Sequence, residues 1–265
     1  MICRTLLIMT LLLALAFPTL LHGHEVKVFA SNLRLPAEGG RTTVYLGYGH
    51  RMPIDDLLDA QTIEKFELLG PDGSTKILTA QGLGVHANIA RIDSPGVHRV
   101  VAVRRPSIYS YVYDSQGNRS LKRGGKSEHG ELKVDTATRY QDCGVALIAV
   151  GEHAKAPAPL GLPAEIVPLA APSQWRAGRD INLQVLVGQK PKEFTDLIAR
   201  PLGFKPDDAW SFATETNRDG IARFRPDKAG TWLVKVSMKT PSKANESKDF
   251  DWNSVTTTLT LEIEP

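Results

Sequence analysis

Residues 216–238 read TNRDGIARFRPDKAGTWLVKVSM. A T-x-x-D-G turn ends on Gly220, a short A-x-F strand follows, and P-x-x-x-G-x-W leads into the alternating run WLVKVSM. Gly220 and Gly230 supply turn conformations closed to other residues. Phe224 and Trp232 are then placed to pack between two sheets. Upstream, residues 181–187 (INLQVLV) alternate and end in the G-x-x-P turn 188–191; downstream, residues 254–263 (SVTTTLTLEI) close the chain. Roughly seven short strands in about 100 residues is the rhythm of an immunoglobulin-like sandwich. The charged stretch 240–253 is expected to be a long exposed loop. All of this specifies a fold and leaves function open.

The same grammar runs through the first half. Residues 26–30 alternate around Lys27, and residues 42–48 (TTVYLGY) are β-branched and aromatic. Residues 63–69 end at Gly70-Pro71-Asp72-Gly73, and residues 97–103 follow Ser94-Pro95-Gly96. Residues 108–113 (IYSYVY) end at a second turn signal, 114–118. Residues 145–150 are continuously apolar, as in a central strand. Only residues 55–60 hint at a helical turn, with Asp55 and Asp56 at its positive end. Residues 119–126 read as a hairpin tip. Residues 153–163 turn to Ala, Pro and Gly, the composition of a linker. The expected fold is all-β: a signal peptide at 1–23, a β-sandwich at 24–152, a linker at 153–163 and an immunoglobulin-like β-sandwich at 164–265.

The opening residues carry Arg4 and then an apolar run from Leu6 to Phe17, ended by Pro18. That is the length of a secretory h-region and too short to span a bilayer, which needs about 20 apolar residues. Cleavage after Gly23 makes His24 the new N-terminus and places the protein in the periplasm, with no transmembrane segment in the mature chain. Removing the leader lowers the net charge from +3 to +2, since Arg4 is its one charged residue. A balance so near neutral leaves no footprint for nucleic acid. Of the two cysteines, Cys3 departs with the leader, so Cys143 has no partner for an internal disulfide and reads as a buried apolar residue. The chain holds no G-x-S-x-G, H-E-x-x-H, phosphate-binding glycine loop or C-x-x-C, and nothing points to an enzyme.

Candidate chemistry rests on histidine. A processed His24 offers an α-amine and an imidazole on one residue. Such donors suit Ni²⁺, Cu²⁺ or Zn²⁺. His24 shares parity with Val26 and Val28, and His50 with Val44, Leu46 and Tyr48. If those strands are neighbours, the two imidazoles lie on one face. His86 and His98 sit on or beside strands of the same half and are candidate further ligands. Asp251 is a candidate carboxylate ligand from the late loop. His129 and His153 are expected to be solvated. Tyr109, Tyr111 and Tyr113 alternate on one strand face, which is expected to be covered by a neighbour.

Several stretches together resemble the exported DUF4198 family. They are His24, Tyr48-Gly49-His50, Pro95-Gly96-Val97-His98, Ala146-Leu147-Ile148, the phrase LPAEIVPL at 162–169, residues 216–220, and Gly230-Thr231-Trp232. The resemblance covers essentially the whole mature chain. Members of that family are often labelled as periplasmic components of nickel or cobalt uptake. The resemblance therefore implies a two-domain β architecture, a nickel or cobalt ion as ligand, and an inner- or outer-membrane metal transporter as partner. After His50 this chain carries Arg51-Met52-Pro53, where relatives often have Pro and then an acidic residue. A different class of function, a non-catalytic extracytoplasmic module binding carbohydrate, a cell-surface polymer or a protein partner, fits the same composition.

Overall fold

A computed structural model describes residues 24–51, 54–203 and 210–265. The expected signal peptide, 1–23, lies outside the described residues. The first half forms β1 (Glu25–Ala30), β2 (Arg34–Leu35), β3 (Gly40–Gly49), β4 (Leu58–Asp59), β5 (Ile63–Leu69) and β6 (Thr75–Ile77). It continues with β7 (Leu83–Gly84), β8 (His86–Ile92), β9 (Gly96–Arg104), β10 (Ser107–Tyr113), β11 (Arg119–Arg123) and the long β12 (Lys133–Val150). The second half forms β13 (Ala164–Pro168), β14 (Ile181–Val187), β15 (Lys190–Pro191) and β16 (Asp196–Pro201). It ends with β17 (Phe212–Glu215), β18 (Ile221–Phe224), β19 (Gly230–Pro241) and β20 (Trp252–Ile263). The described helical residues are short 3₁₀ turns, and none is long and apolar enough to cross a membrane.

The molecule is all-β, as the alternating runs require. A small sheet has the order β1-β3-β8. A four-stranded sheet is built from β13, β14 and β15, with β18 on β14. Between them runs an 11-stranded sheet whose main path is β17-β16-β19-β20-β12-β9-β5-β6. Its middle joint is the parallel pair β12–β20, from Thr138 opposite Trp252 to Ala146 opposite Thr260. The large sheet thus crosses the stretch between the two sequence halves without interruption.

Why one strand can serve both halves follows from its period of two. On β12, Ala146, Ile148 and Val150 enter a core with Val26, Val28, Val44 and Leu46 of the small sheet. Cys143, Val145 and Leu147 enter a second core with Leu183, Phe224, Trp232 and Leu261. On β9, Val100 and Ala102 join the first core, and Val101 and Val103 the second. The continuous apolar run 145–150 is therefore a strand buried on both faces. Phe224 and Trp232 do meet, edge to face, with ring centroids 5.3 Å apart. Ala154 and Leu162, within the Ala/Pro-rich stretch, are buried in the second core.

Four local expectations are corrected. Residues 55–60 form no helical turn: Asp59 caps a 3₁₀ turn at Ala60–Thr62, while Asp56 bridges Tyr48. Residues 119–123 are strand β11, paired with β10, because the turn falls earlier at 114–118. The stretch 240–253 is shortened from both ends by β19 and β20, and Phe250 within it is buried. His86 opens a strand, β8, as its placement on or beside one implied, whereas β16 and β17 were not anticipated, since charged or polar residues interrupt their alternation.

Candidate functional site

The site begins with a register. β1 and β3 are antiparallel neighbours, with Val28 opposite Leu46 and Val26 opposite Tyr48. One pair further out on the same face, His24 meets His50. Their ring centroids are 4.3 Å apart, tilted by 39°. Tyr48 closes the other side of His24, stacked at 5.2 Å. Valine and leucine fill the inward face until the core ends, and the two imidazoles continue that face at the rim.

The next turn of chain holds this rim in place. Asp55 Oδ1 accepts the His50 N–H at 2.7 Å and the Arg51 N–H at 2.9 Å. Burial opposes it, yet these N–H groups hold the Asp55 carboxyl below its usual range. Asp56 Oδ2 lies 3.4 Å from His24 Nε2. Burial, and then His24 beside it, push the His50 pKa down, favouring a neutral ring with a lone pair to offer.

Beneath the rim lies a buried charge cluster that reading the sequence did not find. Glu25, 1% exposed, takes Lys235 Nζ at 2.5 Å, Arg200 at 3.4 Å and Lys27 Nζ at 3.7 Å. Lys27 Nζ also donates to the Gly49 and Arg51 carbonyls at 2.7 and 3.1 Å, and Arg200 donates to the His50 carbonyl at 2.6 Å. Both carbonyls flanking His50, and its own, are thus gripped by buried cations. Trp210 covers the Arg200 guanidinium at 4.7 Å and the Lys235 ammonium at 5.7 Å. Burial drives the Lys27 ammonium down to about 8. Alongside, Arg104 Nη1 donates to the Tyr48 hydroxyl at 2.6 Å and to Asp142 at 2.7 Å. Burial pushes the Asp142 carboxyl up against the pull of Arg104. Little in the sequence marked it: Lys235 within WLVKVSM sits on the parity opposite Trp232, Val234 and Val236, which reads as an outward position, yet it is buried.

Of the five anticipated ligands, His24 and His50 come together and three do not join them. His86 is buried and donates Nε2–H to the Leu58 carbonyl at 3.1 Å. His98 is buried and donates Nε2–H to the Ser94 carbonyl at 2.8 Å. Asp251 is paired with Lys126 at 2.5 Å and accepts the Ala137 N–H, tying the late loop to β12. His129 is buried against the Gly124 carbonyl, contrary to its expected solvation. Tyr109, Tyr111 and Tyr113 are half-buried; Arg119 lies 3.6 Å over the Tyr111 ring and Lys133 5.8 Å over the Tyr113 ring. Their face is thus covered in part by cationic side chains. Among the described residues, no group of three or more His, Cys, Asp or Glu side chains is arranged to hold a metal ion. Two clefts of about 560 and 660 Å³ flank the turn at 151–153. No residue of the rim lines either, and Arg34 and Arg176 in the larger are both paired with Glu264.

Residues 21–240 match a family described as a domain of unknown function, DUF4198. No curated protein matches the chain. Among solved structures, the D0-D1 domain of intimin aligns at 12% identity, over 92% of this chain and 100% of that one, with a TM-score of 0.22.

Proposed function

This chain belongs to the DUF4198 family, and from that premise we propose that it is an exported, periplasmic accessory protein that binds a divalent transition-metal ion, nickel or cobalt first, for uptake or handling. The observation that carries the reading is the meeting of His24 and His50, 26 positions apart in sequence, with rings 4.3 Å apart at the rim of the first core.

The donor set fits such an ion only in a particular way. The side chains contribute two imidazole nitrogens, and no thiolate is at hand. The Cys143 thiol is buried, and burial pushes it up to about 12. The third donor in this proposal is the α-amine of His24, freed by cleavage after Gly23. A set of nitrogen donors suits Ni²⁺ and Co²⁺, and also Cu²⁺ or Zn²⁺. His24 and His50 bind the ion. Asp55, Lys27 and Arg200 orient His50 through its backbone, so little ordering remains to be done when the ion arrives. A membrane transporter of the same ion is the partner this protein would serve.

Calorimetry on the mature chain with an authentic His24 terminus tests this. Saturable heat with Ni²⁺ or Co²⁺ is expected, falling at least roughly tenfold in affinity for His50→Ala and for a chain extended by one residue before His24. Equal binding by the His24→Ala/His50→Ala double variant would sink the assignment.

A further inference from the structure

Asp56 was anticipated as the start of a helix, and it is instead fixed against the rim. Its backbone bridges Tyr48, and its Oδ1 accepts the Leu57 N–H at 2.7 Å. One carboxylate oxygen is thereby engaged with the chain, and the other faces His24 Nε2 at 3.4 Å. The His24 ring, its side chain 43% exposed, is stacked on Tyr48 on one side and tilted against His50 on another.

A neutral imidazole that gives its Nε2–H to a carboxylate keeps its lone pair on Nδ1. Nδ1 is also the nitrogen that can close a chelate ring with the residue's own α-amine, through Cα, Cβ and Cγ. Nε2 points away from the amine and cannot. We propose that Asp56 is a positioning residue that holds His24 in the Nε2–H tautomer and so presents Nδ1, together with the terminal amine, to the ion. The proposal rests on the reading that His24 and His50 bind a metal. It adds that Asp56 acts through His24 without itself being a ligand.

The test uses the ¹⁵N-labelled mature chain, first without metal, at a pH where the imidazoles are neutral. Long-range ¹H–¹⁵N correlations report which His24 nitrogen carries the proton. The expected result is a protonated Nε2 in the native chain and a tautomer mixture in Asp56→Ala, with the amide spectrum showing that the variant is folded. Asp56→Glu is expected to restore the native tautomer. Zn²⁺, a diamagnetic probe, is then expected to move Nδ1 of His24 and to bind Asp56→Ala about 10–100-fold more weakly. A native lone pair on Nε2, or a tautomer indifferent to Asp56→Ala, overturns the proposal. Weaker Zn²⁺ binding with an unchanged tautomer also overturns it, since Asp56 then acts on the ion itself, by charge or by ligation, and not through His24. If Zn²⁺ moves neither His24 nor His50 while Asp56→Ala still shifts the tautomer, the metal reading fails and the holding role of Asp56 stands.

Discussion

Glu25 is the residue on which the rim stands. One carboxylate, almost fully buried, faces Lys235, Arg200 and Lys27. Removing one partner of a buried ionic cluster leaves the others desolvated and uncompensated, a loss of about 3–5 kcal/mol. Glu25→Gln keeps the shape and removes the charge. An unfolding free energy from urea titration lowered by that amount is expected, and a change below about 1 kcal/mol would mean the cluster is relieved by water. Cys143 gives a second residue-level prediction. Its thiol ordinarily titrates at 9.0 and burial raises it to about 12. Above pH 9 the unfolded chain loses the proton and the folded chain keeps it, so the unfolded state binds fewer protons. Stability therefore falls as pH rises from 9 to 12, by up to about 1.4 kcal/mol per unit. Cys143→Ala should flatten that part of the alkaline limb. At pH 8 the native thiol should react with a thiol reagent only as fast as the protein opens.

At the scale of elements, the alternating strands could be read directly. Residues 42–48 and 181–187 show one apolar face each, and both are strands. What alternation cannot carry is which strand lies beside which. The parity of His24 and His50 was visible, but their meeting depended on β1 being the neighbour of β3, which the register fixes. The charge cluster was less visible still. Glu25, Arg200 and Lys235 come from three distant strands, and a lone charge in a strand normally signals a solvated face. Strand β12 supports the prediction proper to this scale. Leu147→Ala empties space in the second core and Ile148→Ala in the first, each at about 2–5 kcal/mol. Both should lower one shared unfolding transition, not two separate ones. Gly144 faces the packing of β1 on this strand: a Cβ there would lie 3.0 Å from Val26 Cγ1 and 3.2 Å from Val28 Cγ2. Gly144→Ala is expected to destabilise by about 1–3 kcal/mol, because both valines are held in the core and have little room to yield.

Across the whole molecule, the continuous sheet sets the cooperativity. The compositional break at 153–163 marks a change of local sequence, but β12 before it is paired with β20 at the other end of the chain. A chain nicked within the Ala/Pro-rich stretch should keep its two fragments together on gel filtration, because the β12–β20 ladder and the second core bridge them. Intrinsic tryptophan fluorescence reports the second core through Trp175 and Trp232, the charge cluster through Trp210 and the start of β20 through Trp252, and far-ultraviolet dichroism reports all strands. The two should give coincident denaturation curves. Separate midpoints would show that the halves melt independently.

One bond across this architecture bears on how fast it can form. Thr258 Oγ1 donates to the Val26 carbonyl at 2.7 Å, across 232 positions of sequence. A chain emerging amino end first must deliver nearly all of its length before this bond can close, and pairings of such separation place it among slow, topologically demanding folders. During that wait the first strands stay open to wrong partners. The His24–His50 rim, though its two strands lie in the first half, gains its grip from Arg200 and Lys235 only after the second half has arrived.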